Sequence, residues 1–418
     1  MTESLPSKSE TRRFLAVFST ASFLNDFGSD MLYPIWPLFV IGFPGVNMAI
    51  LGFIDGLGDA IVSVSQAGSG YLSDKTGKRK FFVWLGYVFG STSRLGYALS
   101  RIANVWQYLI PFRVLDRSGK MRGAPRDAII ADISTNENRG RNFGLLRAMD
   151  NLGAVFGILT CLALVSLYGL DFLPKLFIIA SVPSLIGAML VFVFIKDRKT
   201  NKIFKGLSLR DLTFNFRLFV FLSALFALGS FSYSFLLIYV GSLNLETTFL
   251  PLFQIQILLY LLFTVVASLT SLPFGWLADK TGRKTVLILS FVFWGLVCLS
   301  FPYATSLAPI AAIFGFYGLH KGAIEPSQKA LVSELSPREY RASALGAFQM
   351  ITGLCALPAS FMAGVLWITF GSFAPFYLSL ILTAVASVLL LSIKENRYPK
   401  QTQISQKTKE IENEVTDA

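Results

Sequence analysis

The chain has 418 residues, 53% hydrophobic and only 15% charged, with 39 Phe and a mean hydropathy of +0.58. Soluble domains carry roughly 25% charged residues, so this composition excludes a water-soluble globule and requires lipid as most of the solvent. The net charge of +12 does not point to nucleic acid, and no such partner is expected, because the basic residues are dispersed among the connections between apolar runs.

The first ten residues are polar. Apolar runs bounded by charge, Gly or Pro follow at approximately 14–42, 47–73, 81–99, 105–133, 142–168 and 174–195. The run from Phe14 exceeds a signal-peptide core and has no clear cleavage site, so no cleaved signal is expected. After a polar stretch, 196–214, six more runs fall at approximately 215–241, 250–277, 285–303, 307–333, 342–370 and 374–393. At roughly 20 residues per span this predicts an all-α membrane protein of twelve transmembrane helices. The expected organisation is a tail (1–13), a six-helix bundle (14–195), a linker (196–214), a second six-helix bundle (215–395) and a polar, disordered tail (396–418). Cys161, Cys298 and Cys355 lie inside apolar runs at spacings that fit neither a metal site nor a disulfide frame, and are read as packing residues.

Loop charge gives the orientation. Basic residues cluster before span 1, at Lys75–Lys80, at Arg139 and Arg141, through 196–210, at Lys280–Lys284, at Arg338 and Arg341, and from Lys394 onward. These are every second connection and both ends of the chain. The alternate connections hold only Arg101 and Lys175. Positive loops stay in the cytoplasm, so both ends are expected there, in a multi-pass protein of the plasma or inner membrane.

The chain also repeats itself. Gly70-Tyr-Leu-Ser-Asp74-Lys-Thr-Gly77-Lys-Arg79-Lys80 returns as Gly275-Trp-Leu-Ala-Asp279-Lys-Thr-Gly282-Arg283-Lys284. Pro125 with Ala128-Ile-Ile-Ala-Asp132 corresponds to Pro326 with Ala330-Leu-Val-Ser-Glu334. The offset, about half the chain, implies two pseudo-symmetric bundles in parallel orientation. Such duplicated membrane proteins place substrate between their halves.

The repeated loop resembles the signature of the major facilitator superfamily, Gly-x-Leu-x-Asp-Lys/Arg-x-Gly-Arg/Lys-Lys/Arg between the second and third helices of each half. The resemblance covers residues 14 to 395. It implies twelve helices in two bundles around a central cavity, with rocker-switch exchange; a small-molecule substrate, no cofactor and a monomer are expected, and one histidine with no His-Glu-x-x-His leaves little for enzymatic activity. It also implies a latch closing the cytoplasmic side. Gly70 and Gly275 would let a neighbouring helix approach closely. Asp74 and Asp279 would face the positive end of a helix from the other half, and Gly77 and Gly282 would make tight turns. Arg79 and Lys80 could reach Asp127 or Asp132 at the end of span 4, with Arg283 and Lys284 in the equivalent loop.

Ionisable residues inside spans cost roughly 2.5–3.5 kcal/mol each and are functional candidates. Asp26 and Asp30 in span 1, and Asp55 and Asp59 in span 2, each stand at i, i+4 on one helix face. Two acids close together in low dielectric resist double ionisation, which is what proton coupling needs; permanent ion pairing with span 4 is the alternative. In span 4, Arg113, Asp116, Arg117, Lys120 and Asp127 share one side of a helical wheel, and Arg122 and Arg126 point away. Arg113 sits near the arginine that the superfamily often carries in this helix in association with proton transfer, and Asp26 or Asp30 is its expected partner. Span 5 adds Arg147 and Asp150. The drug:proton antiporter branch carries a Gly-Pro-x-x-Gly-Gly type motif there, where this chain has Gly153-Ala-Val-Phe-Gly157.

The second half holds fewer charges: His320, Lys321, Glu325 and Lys329 in span 10, with Lys321 aligning with Lys120 through the repeat. His320 reads as a proton relay or as a packed polar group. Ser230, Ser232, Tyr233 and Tyr239 in span 7, and Gln254, Gln256 and Tyr260 in span 8, suit orienting a substrate. No metal ligand set stands out. The expected function is proton-coupled efflux of a small organic solute. An uptake symporter for an anionic metabolite, which the intramembrane Arg and Lys would suit, and a non-transporting receptor or channel are the alternatives. No Gly-x-x-x-x-Gly-Lys-Ser/Thr loop points to an ATP-driven pump.

Overall fold

The structure, a computed structural model, describes residues 8–134, 138–196, 213–243, 250–336 and 341–393, with backbone alone at 8–10, 139–140 and 341–343. The 396–418 tail and all but the ends of the 196–214 linker lie outside the described residues, as do Arg338 and the side chains of Arg139 and Arg341. Among the described residues, fifteen α-helices make up the twelve spans expected. Span 1 is α1 (Lys8–Asp30) and α2 (Trp36–Ile41); span 2 is α3 (Met48–Thr76); span 3 is α4 (Arg79–Ala103). Span 4 is α5 (Leu109–Ser118), a 3₁₀ turn (Gly119–Arg122) and α6 (Gly123–Asp132). Spans 5 and 6 are α7 (Arg139–Tyr168) and α8 (Leu173–Phe194). Span 7 is α9 (Phe214–Gly229) and α10 (Tyr233–Ser242). Spans 8 to 12 are α11 (Leu252–Thr281), α12 (Arg283–Ser300), α13 (Leu307–Leu335), α14 (Arg341–Phe370) and α15 (Ala374–Leu391).

Nine spans are long and apolar enough by themselves to cross a membrane among the described residues; spans 1, 3 and 4 are not among them. Those three carry Asp26, Asp30, Arg94 and the cations of span 4; Asp26, Arg94, Arg113, Arg117, Arg122 and Arg126 find partners inside the first half rather than meeting lipid. Elsewhere the outer surface is a belt of exposed apolar side chains, with Leu167, Leu272 and Val388 at 75%, 83% and 65% exposure, a surface that only hydrocarbon accepts.

In the first half, α1 packs on α7 and α8, and α4 on α8; in the second, α13 packs on α11 and α12, and α15 on α9 and α12. The halves meet along α3 and α14, along α7 and α11, and where α2 touches α10. The α3–α14 crossing is close because glycines line it. A Cβ on Gly52 would stand 2.1 Å from the Ser360 carbonyl oxygen, and one on Gly56 2.7 Å from that of Ala356.

This crossing occupies the end and middle of α3 remote from the basic loops. Toward the basic face the halves part. A Cβ on Gly70 would meet only Ala124 of its own half, and one on Gly275 nothing within 4 Å. The close helix approach expected at these two glycines is therefore absent in this conformation. The halves pack closely on one face, called here the far face, and make no such approach at Gly70 or Gly275 on the face that carries the basic loops, called here the open face.

Spans 1 and 7, equivalent in the two halves, are both interrupted at the seal, at Met31–Ile35 and Ser230–Ser232. Pro34 and Pro37 deny backbone donors to the first interruption. At the second, Ser232 is the N-cap of α10 and its hydroxyl accepts from the Ser234 amide.

Candidate transport pathway and its far-face seal

Asp55 is the hub of the seal. Its carboxylate is 2% exposed and accepts four side-chain hydrogen bonds. One oxygen takes Trp36 Nε1 at 2.7 Å and Arg113 Nη2 at 2.9 Å. The other takes Ser232 Oγ at 2.7 Å and Ser234 Oγ at 2.5 Å. The first two donors belong to the first half and the last two to the second. The carboxylate sits at the N-terminus of α10, where the helix dipole favours negative charge. Gly58 supplies the space: a Cβ there would lie 2.9 Å from Arg113 Nε and 3.1 Å from Arg117 Cγ. The Arg113 guanidinium also covers the Trp36 ring at 4.1 Å. Beside the hub, Tyr233 Oη donates to the Tyr33 carbonyl at 3.0 Å and Phe53 meets Phe361 edge-on.

The partner of Arg113 is thus Asp55, not Asp26 or Asp30. Beyond Arg113, span 4 breaks. Gly119–Arg122 is 3₁₀, so one helical wheel does not describe Arg113 through Asp127. Arg122 and Arg126, expected to point away, turn inward and are buried. Arg122 Nη2 lies 3.4 Å from Asp26, which Asn25 also contacts at 2.9 Å. Arg126 donates to Ser22 at 2.5 Å, to Asp150 at 3.3 Å and to Asp127 at 3.1 Å. Arg147 stands 3.8 Å from Asp150.

Asp55 and Asp59 do not act as an acid pair either. Asp59, one turn toward the basic face, is 48% exposed in the opening between the halves and 4.0 Å from Arg117 Nη1. Arg117 is also 3.8 Å from Asp116 and lies over the Tyr33 ring at 5.2 Å. Asp30 is half-buried and makes no ion pair or side-chain hydrogen bond among the described residues; the charges of Asp26, Lys120, Arg94 and Arg117 act on it.

Across the opening the second half presents aromatic rings. Tyr233 packs on Tyr260 at 5.2 Å, Tyr260 on Phe263 at 4.7 Å and Phe263 on Tyr317 at 4.9 Å. Lys321 stands 5.4 Å over the Tyr317 ring. Glu325 is exposed and pairs with Lys329 at 2.5 Å. Gln254 is half-buried on the same helix as Tyr260. Gln256 is instead a packing residue, fully buried and donating to the Leu237 carbonyl at 2.6 Å. His320 is enclosed by Phe226, Trp294 and Tyr317, with Nδ1 2.9 Å from both Ser290 Oγ and the Ser290 carbonyl. These are the contacts of a packed polar group. Cys161 and Cys298 are buried and Cys355 half-buried.

The repeated loops lie at the open face. Gly77 has φ +67° and Gly282 φ +105°, as tight turns require. Arg79 pairs with Asp74 at 2.7 Å and with Asp132, whereas Asp127 goes to Arg126. Lys80 lies over the Phe192 ring at 5.2 Å. In the second half Arg283 pairs with Glu334 and stands 3.9 Å from Asp279, and Lys284 donates to the Leu391 and Ile393 carbonyls. Each set lies within its own half. With the halves apart at this face, neither Asp74 nor Asp279 reaches a helix of the other half through these bonds.

Two features escape a reading of the sequence. Arg94, 1% exposed, makes no ion pair among the described residues; it donates to the Ala180 carbonyl at 2.7 Å, to Ser29 at 2.7 Å and to Ser184 at 2.5 Å. It carried no signal beyond being an arginine inside an apolar run. Ser234 could have been found only from its place just past the N-cap Ser232.

Duplication and two six-span bundles are matched by the similarity of the chain to known proteins. The model of the Major Facilitator Superfamily matches residues 18–258 and again 219–415. The chain belongs to the major facilitator superfamily. It is 36% identical over 376 residues to an uncharacterised MFS-type transporter of Methanocaldococcus jannaschii, covering 89% of this chain and 92% of that one. It is 24% identical to an uncharacterised protein of Mycobacterium tuberculosis, over 91% and 93% of the two chains. Among solved structures it is similar in fold to a bacterial homologue of the human lysosomal transporter Spinster in an inward-facing, occupied conformation (TM-score 0.71, 15% identity, 92% and 97% covered). The nucleoside transporter NupG is another (TM-score 0.69, 16% identity, 91% and 98% covered). As a superfamily member the chain is a multi-pass membrane protein and a secondary transporter of a small molecule.

Proposed function

We propose that this transporter exports a small organic solute across the cell membrane in exchange for protons, as a monomer with both chain ends in the cytoplasm. The basic face is then cytoplasmic by the positive-inside rule, and the described conformation opens inward. The observation that carries the reading is the four-donor hydrogen bonding of Asp55 across the halves.

Opening the far face would separate Ser232, Ser234 and the α10 terminus from Asp55. A buried carboxylate stripped of half its donors and open to the outside takes up a proton, which lowers the cost of keeping it there. Reclosure restores the donors and returns the proton toward Asp59 and the inner cavity. The ionised, empty carrier is held inward-facing by the same bonds, so it cannot readily return empty. Only a bound solute or a bound proton offsets them, and that is exchange rather than symport.

A solute identified by thermal-shift screening of the purified protein allows the test in proteoliposomes with an imposed pH gradient. Asp55→Asn should lose gradient-driven transport while retaining solute-for-solute exchange. Gradient-driven transport equal to wild type would remove Asp55 from coupling.

A further inference from the structure

We infer that a groove between α1 and α8, on the outer surface of the first half, binds one anionic phospholipid, with an acyl chain along the groove and the headgroup at Arg13. The groove stands apart from the path between the halves and does not depend on the exchange scheme.

Two stripes of side chains make it. Arg13, Ala16, Val17 and Thr20 recur at i, i+3, i+4 and i+7 along α1, and Leu190 and Phe194 at i and i+4 along α8. Between them lies a space of about 290 Å³, which runs about 10 Å along α1 from Arg13 to Thr20. Ala16, Thr20 and Phe194 are exposed. Met189 and Val193 beside them belong to the apolar belt, so the groove opens on hydrocarbon. Small side chains on α1 leave a concavity there. A chain lying in it meets protein atoms on more than one side, which a flat surface does not offer.

The mouth of the groove is basic. Arg13 is the last charged residue before the apolar run of span 1. Its guanidinium stands 5.5 Å over the Phe194 ring and makes no ion pair among the described residues. Arg12 and Lys196, next to the two walls along the chain, are exposed. Lys80 lies 5.2 Å over the Phe192 ring, on the opposite side of the same turn of α8. No acid occurs in α4, in α8 or between Thr11 and Asn25 of α1. The side chains of Glu10 and Asp197, the acids nearest Arg13 and Lys196 along the chain, lie outside the described residues. Cations of one sign at the end of a span attract anionic headgroups, by about fivefold in affinity for each Lys or Arg near the surface. Charge at the mouth and apolar wall inward match the two parts of a phospholipid.

Native mass spectrometry of the purified full-length protein tests this, by titration with phosphatidylglycerol and with phosphatidylcholine of the same acyl chains. One phosphatidylglycerol should bind at least about fivefold more tightly than phosphatidylcholine. Arg13→Gln should weaken it by about fivefold, and Arg13→Lys should retain it. Ala16→Trp, on the exposed side of α1, should fill the groove and remove this lipid without lowering the melting temperature in lipid-free detergent. Lys175→Gln, at the far face, should bind as wild type does. Glycerol phosphate, which has the charge but no chains, should not displace the lipid. Equal affinity for the two phospholipids, wild-type binding by Arg13→Gln or by Ala16→Trp, displacement by glycerol phosphate, or a dimer of the chain in place of the lipid adduct would each overturn the proposal.

Discussion

The Asp55 carboxylate and the Ser234 hydroxyl meet at 2.5 Å although 179 positions separate them in the chain. With Ser232, and beside the Tyr233–Tyr33 hydrogen bond, they make a polar contact across the far face, and that contact exists only while the halves are closed there. Replacing both serines by alanine should therefore move the population toward the outward-open state and leave each half folded. Spin labels at Asn104 and Ser306, in far-face connections of the two halves, would report it in a background lacking the three cysteines. The distance distribution should gain a longer component in Ser232→Ala/Ser234→Ala. An unchanged distribution would mean that the seal holds without the serine hydrogen bonds to Asp55.

Gly56 makes the same point through sterics. A Cβ there would stand 2.7 Å from backbone atoms of Ala356 and Leu357, which cannot swing aside as a side-chain tip could. Gly56→Ala should lengthen the same label distance and slow transport, with little loss of secondary structure by circular dichroism. Transport at the wild-type rate would show that the α3–α14 crossing can shift without cost.

Asp26 is expected to be structural. It is a partner of the buried Arg122, and removing one member of such a pair leaves an uncompensated charge. Asp26→Asn should lower stability by about 2 kcal/mol, less than for a fully buried pair because the acid is partly exposed. Thermal unfolding in detergent measures this. A variant as stable as wild type but uncoupled would return Asp26 to the coupling role that its place in span 1 suggested.

The two signature turns should differ in tolerance. Gly77 has φ +67° and ψ +8°, close to the left-handed helical region that Asn also enters. Gly282 has φ +105° and ψ +144°, near a region open essentially to glycine alone. Gly77→Asn should lose about 1 kcal/mol or less, and Gly282→Asn about 1–3 kcal/mol. Equal losses in thermal unfolding would show that the second turn relaxes into another geometry.

Orientation is checked by labelling. A cysteine at Lys78 should react with an impermeant maleimide only from the cytoplasmic side, and one at Asn104 only from outside. The reverse pattern would invert the whole scheme, including the direction of transport.

Much of this protein was legible in its sequence because lipid imposes strict rules. Twelve apolar runs must be helices, since no other backbone is satisfied in hydrocarbon. The internal repeat required two bundles, and glycine at 77 and 282 marked turns that the backbone confirms. What the sequence could not carry was which charge meets which. Span 4 breaks at Gly119–Arg122, and a local change from α to 3₁₀ geometry rotates every later side chain. Arg122 and Arg126 thereby turn inward to Asp26 and Asp150, while Arg113, ahead of the break, meets Asp55. That choice, like the joining of Asp55 to Ser232 and Ser234, depends on how two bundles pack across a gap, where angstroms separate one carboxylate from the next and spacing along the chain holds no record of the distance.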